Sequence, residues 1–119
     1  MNIEELREYC FSFPHTTEGL PFDETTLVFK VANKIFCVSD LETFELINVK
    51  CDPEEAVMLR EQYAAIIPGY HTSKKHWNSL IMDGSLPDHL IKKWVKDSYD
   101  LVIKGLPKKI QKELFNIGA

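Results

Sequence analysis

No stretch of this 119-residue chain approaches the eighteen consecutive apolar residues that a membrane-spanning helix requires. Its first residues, Met1-Asn2-Ile3-Glu4-Glu5, are acidic where a secretory signal is basic and then apolar. A cytoplasmic protein without membrane contact is therefore expected. Cysteine is scarce: Cys10, Cys37 and Cys51 are odd in number and lack Cys-x-x-Cys spacing, which argues against a disulfide framework and a zinc knuckle. With only five glycines, the chain has neither a glycine-rich phosphate loop nor a Gly-x-Ser-x-Gly nucleophile turn. None of His15, His71, His76 and His89 stands four residues from another histidine or a carboxylate. No metal, no cofactor and no enzymatic activity are expected.

A positive charge excess is also missing. Fourteen basic against eighteen acidic side chains leave a net charge of −4, which disfavours holding nucleic acid by bulk electrostatics. The charge is unevenly spread: residues 1–49 are strongly acidic, while the region from His71 onward carries nine lysines against five acids. Seven Phe, four Tyr and two Trp within 45% hydrophobic residues suffice for one packed core. Residues 1–119 are read as a single domain.

Along the chain, Ile3, Leu6 and Cys10 fall at helical spacing up to a stop at Pro14. Residues 13–23, with two prolines and a glycine, read as a connecting loop. Residues 25–31 alternate, with Leu27, Phe29 and Val31 on one face and Val28 and Lys30 on the other, the pattern of a strand. Ala32-Asn33 forms a two-residue turn into a strand over 35–39, and Asp40 to Thr43 turns into a third over 44–50. Asp52-Pro53-Glu54-Glu55 opens a capped helix that runs to about Tyr63. Residues 66–71 and 77–82 read as a second hairpin, and Ser85-Leu86-Pro87-Asp88 as another capped helix start. That helix ends at Gly105, and Pro107 opens a last short one to Phe115. Leu6, Leu27, Phe29, Val31, Trp94 and Leu101 are the expected core.

The densest candidate site is Pro68-Gly69-Tyr70-His71-Thr72-Ser73-Lys74-Lys75-His76-Trp77. Lysines offer point charges to phosphates, Thr72 and Ser73 offer neutral donors, and Tyr70 and Trp77 can stack on bases. The same composition suits a solvated hairpin whose aromatics anchor to the core. On the last long helix, Lys93 and Lys96 stand four residues before Asp97 and Asp100 and are expected to pair with them. Lys108, Lys109 and Lys112 form the freer basic cluster. Cys51, just ahead of a helix start, is a candidate for a lowered thiol pKa.

In order along nearly the whole chain, Leu27-Val28-Phe29-Lys30-Val31, Lys50-Cys51-Asp52-Pro53-Glu54, Pro68-Gly69-Tyr70-His71, Lys74-Lys75-His76-Trp77 and Leu106-Pro107-Lys108-Lys109 resemble the MmcQ/YjbR family. The resemblance implies a compact α+β domain of α-β3-α-β2-α order, an antiparallel sheet covered by helices in the layout of secretion chaperones. It also implies a double-wing DNA-binding surface and no catalytic residues; relatives often place glycines where Ala32-Asn33 stands. The expected function is non-enzymatic binding of double-stranded DNA through Tyr70, His71, Lys74, Lys75, His76, Trp77, Lys108, Lys109 and Lys112. The alternative is a chaperone-like adaptor that holds a peptide or protein partner.

Overall fold

Asn2 accepts a hydrogen bond from the backbone N–H of Glu5 at 2.8 Å and so caps the first helix, α1 (Ile3–Phe11). In the computed structural model, which describes residues 1–70 and 72–117, six strands and three further helices follow. These are β1 (Thr16–Gly19), β2 (Thr26–Val31), β3 (Lys34–Asp40), β4 (Leu46–Lys50), α2 (Pro53–Gln62), β5 (Ile66–Pro68), β6 (Trp77–Ile81), α3 (Asp88–Lys104) and α4 (Lys108–Phe115). The strands form one antiparallel sheet in the order β1-β2-β3-β4-β6-β5. The α+β class and the helix-covered antiparallel sheet are as the sequence implied. The first meander has four strands rather than three, because the expected loop over 13–23 contains β1. This Thr-Thr-Glu-Gly segment has no apolar alternation to betray it; its two threonines extend the chain and the ladder to β2 holds it.

Local chemistry sets the connections. Ala32 and Asn33 have φ of 48° and 65°, the mirror-image turn whose twist matches a two-residue hairpin. Asp40 accepts from the N–H groups of Glu42 and Thr43, and Phe44 then takes a left-handed φ of 47°, so β4 begins at Leu46 rather than at Phe44. Asp52 caps α2 by accepting from Glu54 N and Glu55 N. Ser85 does not cap α3: it donates back to Asp83, and Pro87 stands at the helix entry instead. The Met1 ammonium binds the Asp88 carboxylate at 3.1 Å, which places a counter-charge on the first turn of α3.

The helices gather on one face of the sheet, α1 against β1, α3 across β2, β3 and β4, and α2 over β5 and β6. Alternation sends Leu27, Phe29, Val31, Ile47, Val49 and Leu80 into that layer, where Leu6 and Trp94 meet them. Leu101 is only half-buried; the buried stripe of α3 runs through Ile91, Trp94, Val95, Ser98, Val102 and Ile103, and Leu101 lies at its margin. A bulge interrupts the β2–β3 register, with Phe29 opposite Cys37 and Lys30 opposite Ile35, so Phe36 is the extra residue. Its carbonyl accepts a bond from Ser98 Oγ at 2.5 Å, and Ser98 Oγ itself accepts from Lys50 N at 2.8 Å. One fully buried hydroxyl thus satisfies two backbone groups of the sheet and fixes α3 over β3 and β4.

Two stability outcomes follow from this packing. Phe29→Ala, at a fully buried site in the middle of β2, is expected to lower unfolding free energy by roughly 3–5 kcal/mol in a denaturant titration. Ser98→Ala removes only one oxygen but strands both backbone partners, and a loss of about 1–3 kcal/mol is expected in the same titration.

Candidate functional site

The segment from Pro68 to Trp77 is not an outstretched wing. Gly69 N donates to Trp77 O at 2.9 Å, His76 N donates to Ser73 O, and Cys51 N donates to His76 O, which ties the loop across its neck and to the end of β4. Arg60 of α2 holds it from the helix side, donating to Lys74 O at 2.7 Å and to Asn78 Oδ1 at 2.8 Å. Lys74, itself exposed, donates to Gly69 O at 3.2 Å. A Cβ at Gly69 would stand 2.1 Å from Thr72 Oγ1 and 2.7 Å from Trp77 Cβ, so only glycine fits there. Lys75 and His76 are exposed, and Tyr70 is 57% exposed. The expected site residue His71 lies outside the described residues.

Folded in this way, the loop forms one wall of a cleft of about 710 Å³ on the sheet face that carries no helix. The floor is apolar where Ile35, Val38 and Leu46 rise from β3 and β4. Tyr70 and Trp77 flank it on the β6 side, and Phe22, 68% exposed, flanks it on the β2 side. Asp23, Asp40 and Glu45 stand at the end where β2 and β4 begin. Asp23 accepts from Thr25 N and Thr26 N, and Asp40 from the turn amides of 42 and 43. These donors hold both carboxyls below their usual pKa and therefore charged.

At the centre of the floor a polar chain crosses the strands. Tyr70 N donates to Ser79 Oγ at 2.9 Å, and the Ser79 hydroxyl donates to Asn48 Oδ1. Composition pointed to the lysines of this region and gave no weight to Asn48 and Arg60, which precede it, or to Ser79, two residues past its end. The Asp-x-Thr-Thr and Asp-x-x-Thr turn patterns at Asp23 and Asp40 were the only local signals for the acidic end.

The second basic cluster stands elsewhere. Lys108, Lys109 and Lys112 are exposed on α4, whose far end docks beside β1 through His15 Nε2 and Leu114 O at 2.9 Å and a ring contact between His15 and Phe115. β1 and β6 are four strand spacings apart, roughly 19 Å. No hydrogen bond or ion pair joins α4 to the loop among the described residues. Lys93 and Lys96 pair with Asp97 and Asp100 at 2.7 Å as their spacing predicted. Cys51 behaves opposite to expectation. Half-burial, followed by the nearby Glu55 and Asp52 carboxylates, pushes its thiol up to about 11, and these outweigh the helix N-terminus. Among the described residues no cluster of side chains suited to a metal ion is present.

With the geometry in hand, kinship is clear. The sequence profile of the YjbR family matches residues 11–101. The chain belongs to the YjbR family. Over 118 residues it is 33% identical to the uncharacterised protein YjbR of Escherichia coli strain K12, covering 98% of this chain and all of that one. It is 34% identical over 112 residues to YbdF of Escherichia coli O157:H7, covering 93% of this chain and 92% of that protein. The crystal structure of Deinococcus radiodurans protein DR2400 superposes with a TM-score of 0.90 at 38% identity, over 95% of this chain and 87% of that one. A Pseudomonas syringae protein with a TM-score of 0.71 and 23% identity, over 85% of this chain and 98% of its own, shares the fold. Among the described residues no helix is long and apolar enough to cross a membrane.

Two measurements check the local geometry. Gly69→Ala is expected to displace the loop and alter Trp77 fluorescence, since the methyl group has no space against Thr72 and the Trp77 backbone. Alkylation of Cys51 by iodoacetamide is expected to accelerate with pH around a midpoint near 11, while the fully buried Cys10 and Cys37 stay protected in the native state.

Proposed function

We propose that the protein is a non-enzymatic interaction module that holds a partner polypeptide segment in the cleft on the open sheet face. One observation carries this reading: an apolar β-sheet floor, walled by exposed aromatic rings, lies uncovered by the chain's own helices. Its volume of about 710 Å³ is that of a ligand site, and residues alternating along an extended segment suit a pleated floor. Tyr70 and Phe22 supply the large, stiff rings that dominate binding energy at such surfaces.

Duplex DNA needs positive charge gathered on one surface to release its counterions. Here Lys74 is engaged by the loop's own carbonyl, α4 lies at the far margin of the sheet, and the cleft between them bears three carboxylates. That distribution supports the polypeptide reading over the DNA one.

The test sets the two partners side by side. Blocked extended hexapeptides with apolar side chains are expected to shift tryptophan emission in the wild-type protein. The double variant Phe22→Ala/Tyr70→Ala, at two exposed positions, is expected to weaken binding by about tenfold or more. Duplex DNA is titrated at two salt concentrations in parallel. If DNA binds with a logarithmic salt slope that Lys74→Ala/Lys75→Ala flattens by about 2, while the peptides leave the emission unchanged, the polypeptide reading is overturned.

A further inference from the structure

The cleft has a polarity of its own. Asn48 is 8% exposed and lies in the floor, where its carboxamide oxygen is consumed by the Ser79 hydroxyl. Ser79 in turn accepts Tyr70 N, so the direction of the relay is set by an amide that can only donate. The Asn48 nitrogen is thereby turned away from Ser79, and its two N–H groups have no partner among the described residues. Two donors on the floor of the cleft are placed to bind an acceptor that enters it. In the lining of the same cleft, the Thr72 hydroxyl is buried without a partner. These groups call for an acceptor such as a peptide carbonyl.

The other end calls for a cation. Asp40 spends Oδ1 on both turn amides, and the Thr43 and Thr25 hydroxyls add to the donors that keep its carboxylate charged. No hydrogen bond or ion pair occupies the Glu45 carboxylate among the described residues, and Asp23 adds a third negative charge beside them. The ladder gives the spacing: Asn48 pairs with Val38, and Asp40 lies two residues further along β3 on the same face. Two residues of rise and one strand spacing separate the two backbone positions by about 8 Å. The extended side chain of an arginine or lysine bridges a gap of that order from its own carbonyl.

Resting on the polypeptide reading above, we infer that the cleft selects a segment with a basic side chain flanked by apolar residues. Its cation sits at Asp23, Asp40 and Glu45, and its backbone carbonyl accepts from Asn48. The apolar flanks lie on Val38 and Leu46 beneath the Tyr70 and Phe22 rings. The acidic end both attracts the cation and rejects phosphates and acidic peptides.

The probes are the blocked peptide Ac-Val-Leu-Arg-Leu-Val-NH2 and its citrulline counterpart, which keeps the shape of arginine without its charge. With the full-length protein, the arginine peptide is expected to bind about tenfold more tightly than the citrulline peptide, and the gap is expected to narrow in high salt. Asp40→Asn/Glu45→Gln preserves the turn acceptor at position 40 and is expected to bring the two peptides to equal affinity. An (E)-alkene isostere in place of the amide that carries the arginine carbonyl removes the acceptor without altering the protein, and is expected to cost about tenfold. Asn48→Leu is expected to cost as much and to abolish the effect of the isostere. Equal binding of arginine and citrulline peptides by the wild-type protein overturns this inference and leaves the polypeptide cleft standing. Equal binding of the amide and the isostere removes Asn48 from it. Failure of every peptide to bind overturns both readings.

Discussion

The bulge at Phe36 governs how the two layers meet. A regular ladder would leave no free carbonyl under α3, and a helix has no spare donors along its length with which to find one. The extra residue in β3 frees that carbonyl, and Ser98 reaches it from the helix while accepting from Lys50 at the end of β4. Because α3 is fixed over the central strands, α2 and α1 fill the spaces to either side. Nearly all the large buried side chains then belong to one face, Val28 being the exception. The opposite face is left bare by the same arrangement.

Order within that bare face comes from the two loops that border it. Neither relies on its own side-chain packing alone. The loop after β5 is held by Arg60 from α2, by Cys51 just past β4 and by the tight approach of Gly69 to Trp77. The segment ahead of β2 is fixed by Asp23, whose carboxylate gathers two backbone amides and the Thr26 hydroxyl. The walls of the cleft are therefore fixed by the chain's own backbone hydrogen bonds.

Most elements could be read from the sequence because their signals are local. Alternation marked β2, a proline after an aspartate marked α2, and the apolar stripe marked α3. β1 escaped because an edge strand of four residues takes its conformation from the ladder to its neighbour, and Thr-Thr-Glu-Gly carries no hydrophobic period. The start of β4 and the α3 cap were misplaced where backbone geometry, a left-handed Phe44 and an entry at Pro87, replaced the expected side-chain chemistry. The lysine-rich loop stands out by composition, but its conformation is set by residues outside it. Asn48 and Ser79 meet only through the β4–β6 ladder and Arg60 reaches the loop from α2, and no spacing along the chain announces these contacts.

The margins of the sheet also bear on how a partner can approach. On one side the ladder ends in β5, three residues long, whose Pro68 has no N–H to offer a further strand. On the other it ends in β1, four residues long, closed by Gly19, with Glu18 engaged by Arg7 of α1 at 2.6 Å. Short, interrupted borders of this kind discourage one copy from adding its strands to another's, a frequent route to fibrous assembly. A molecule so guarded can expose a broad pleated surface to its surroundings and still remain separate from its own kind.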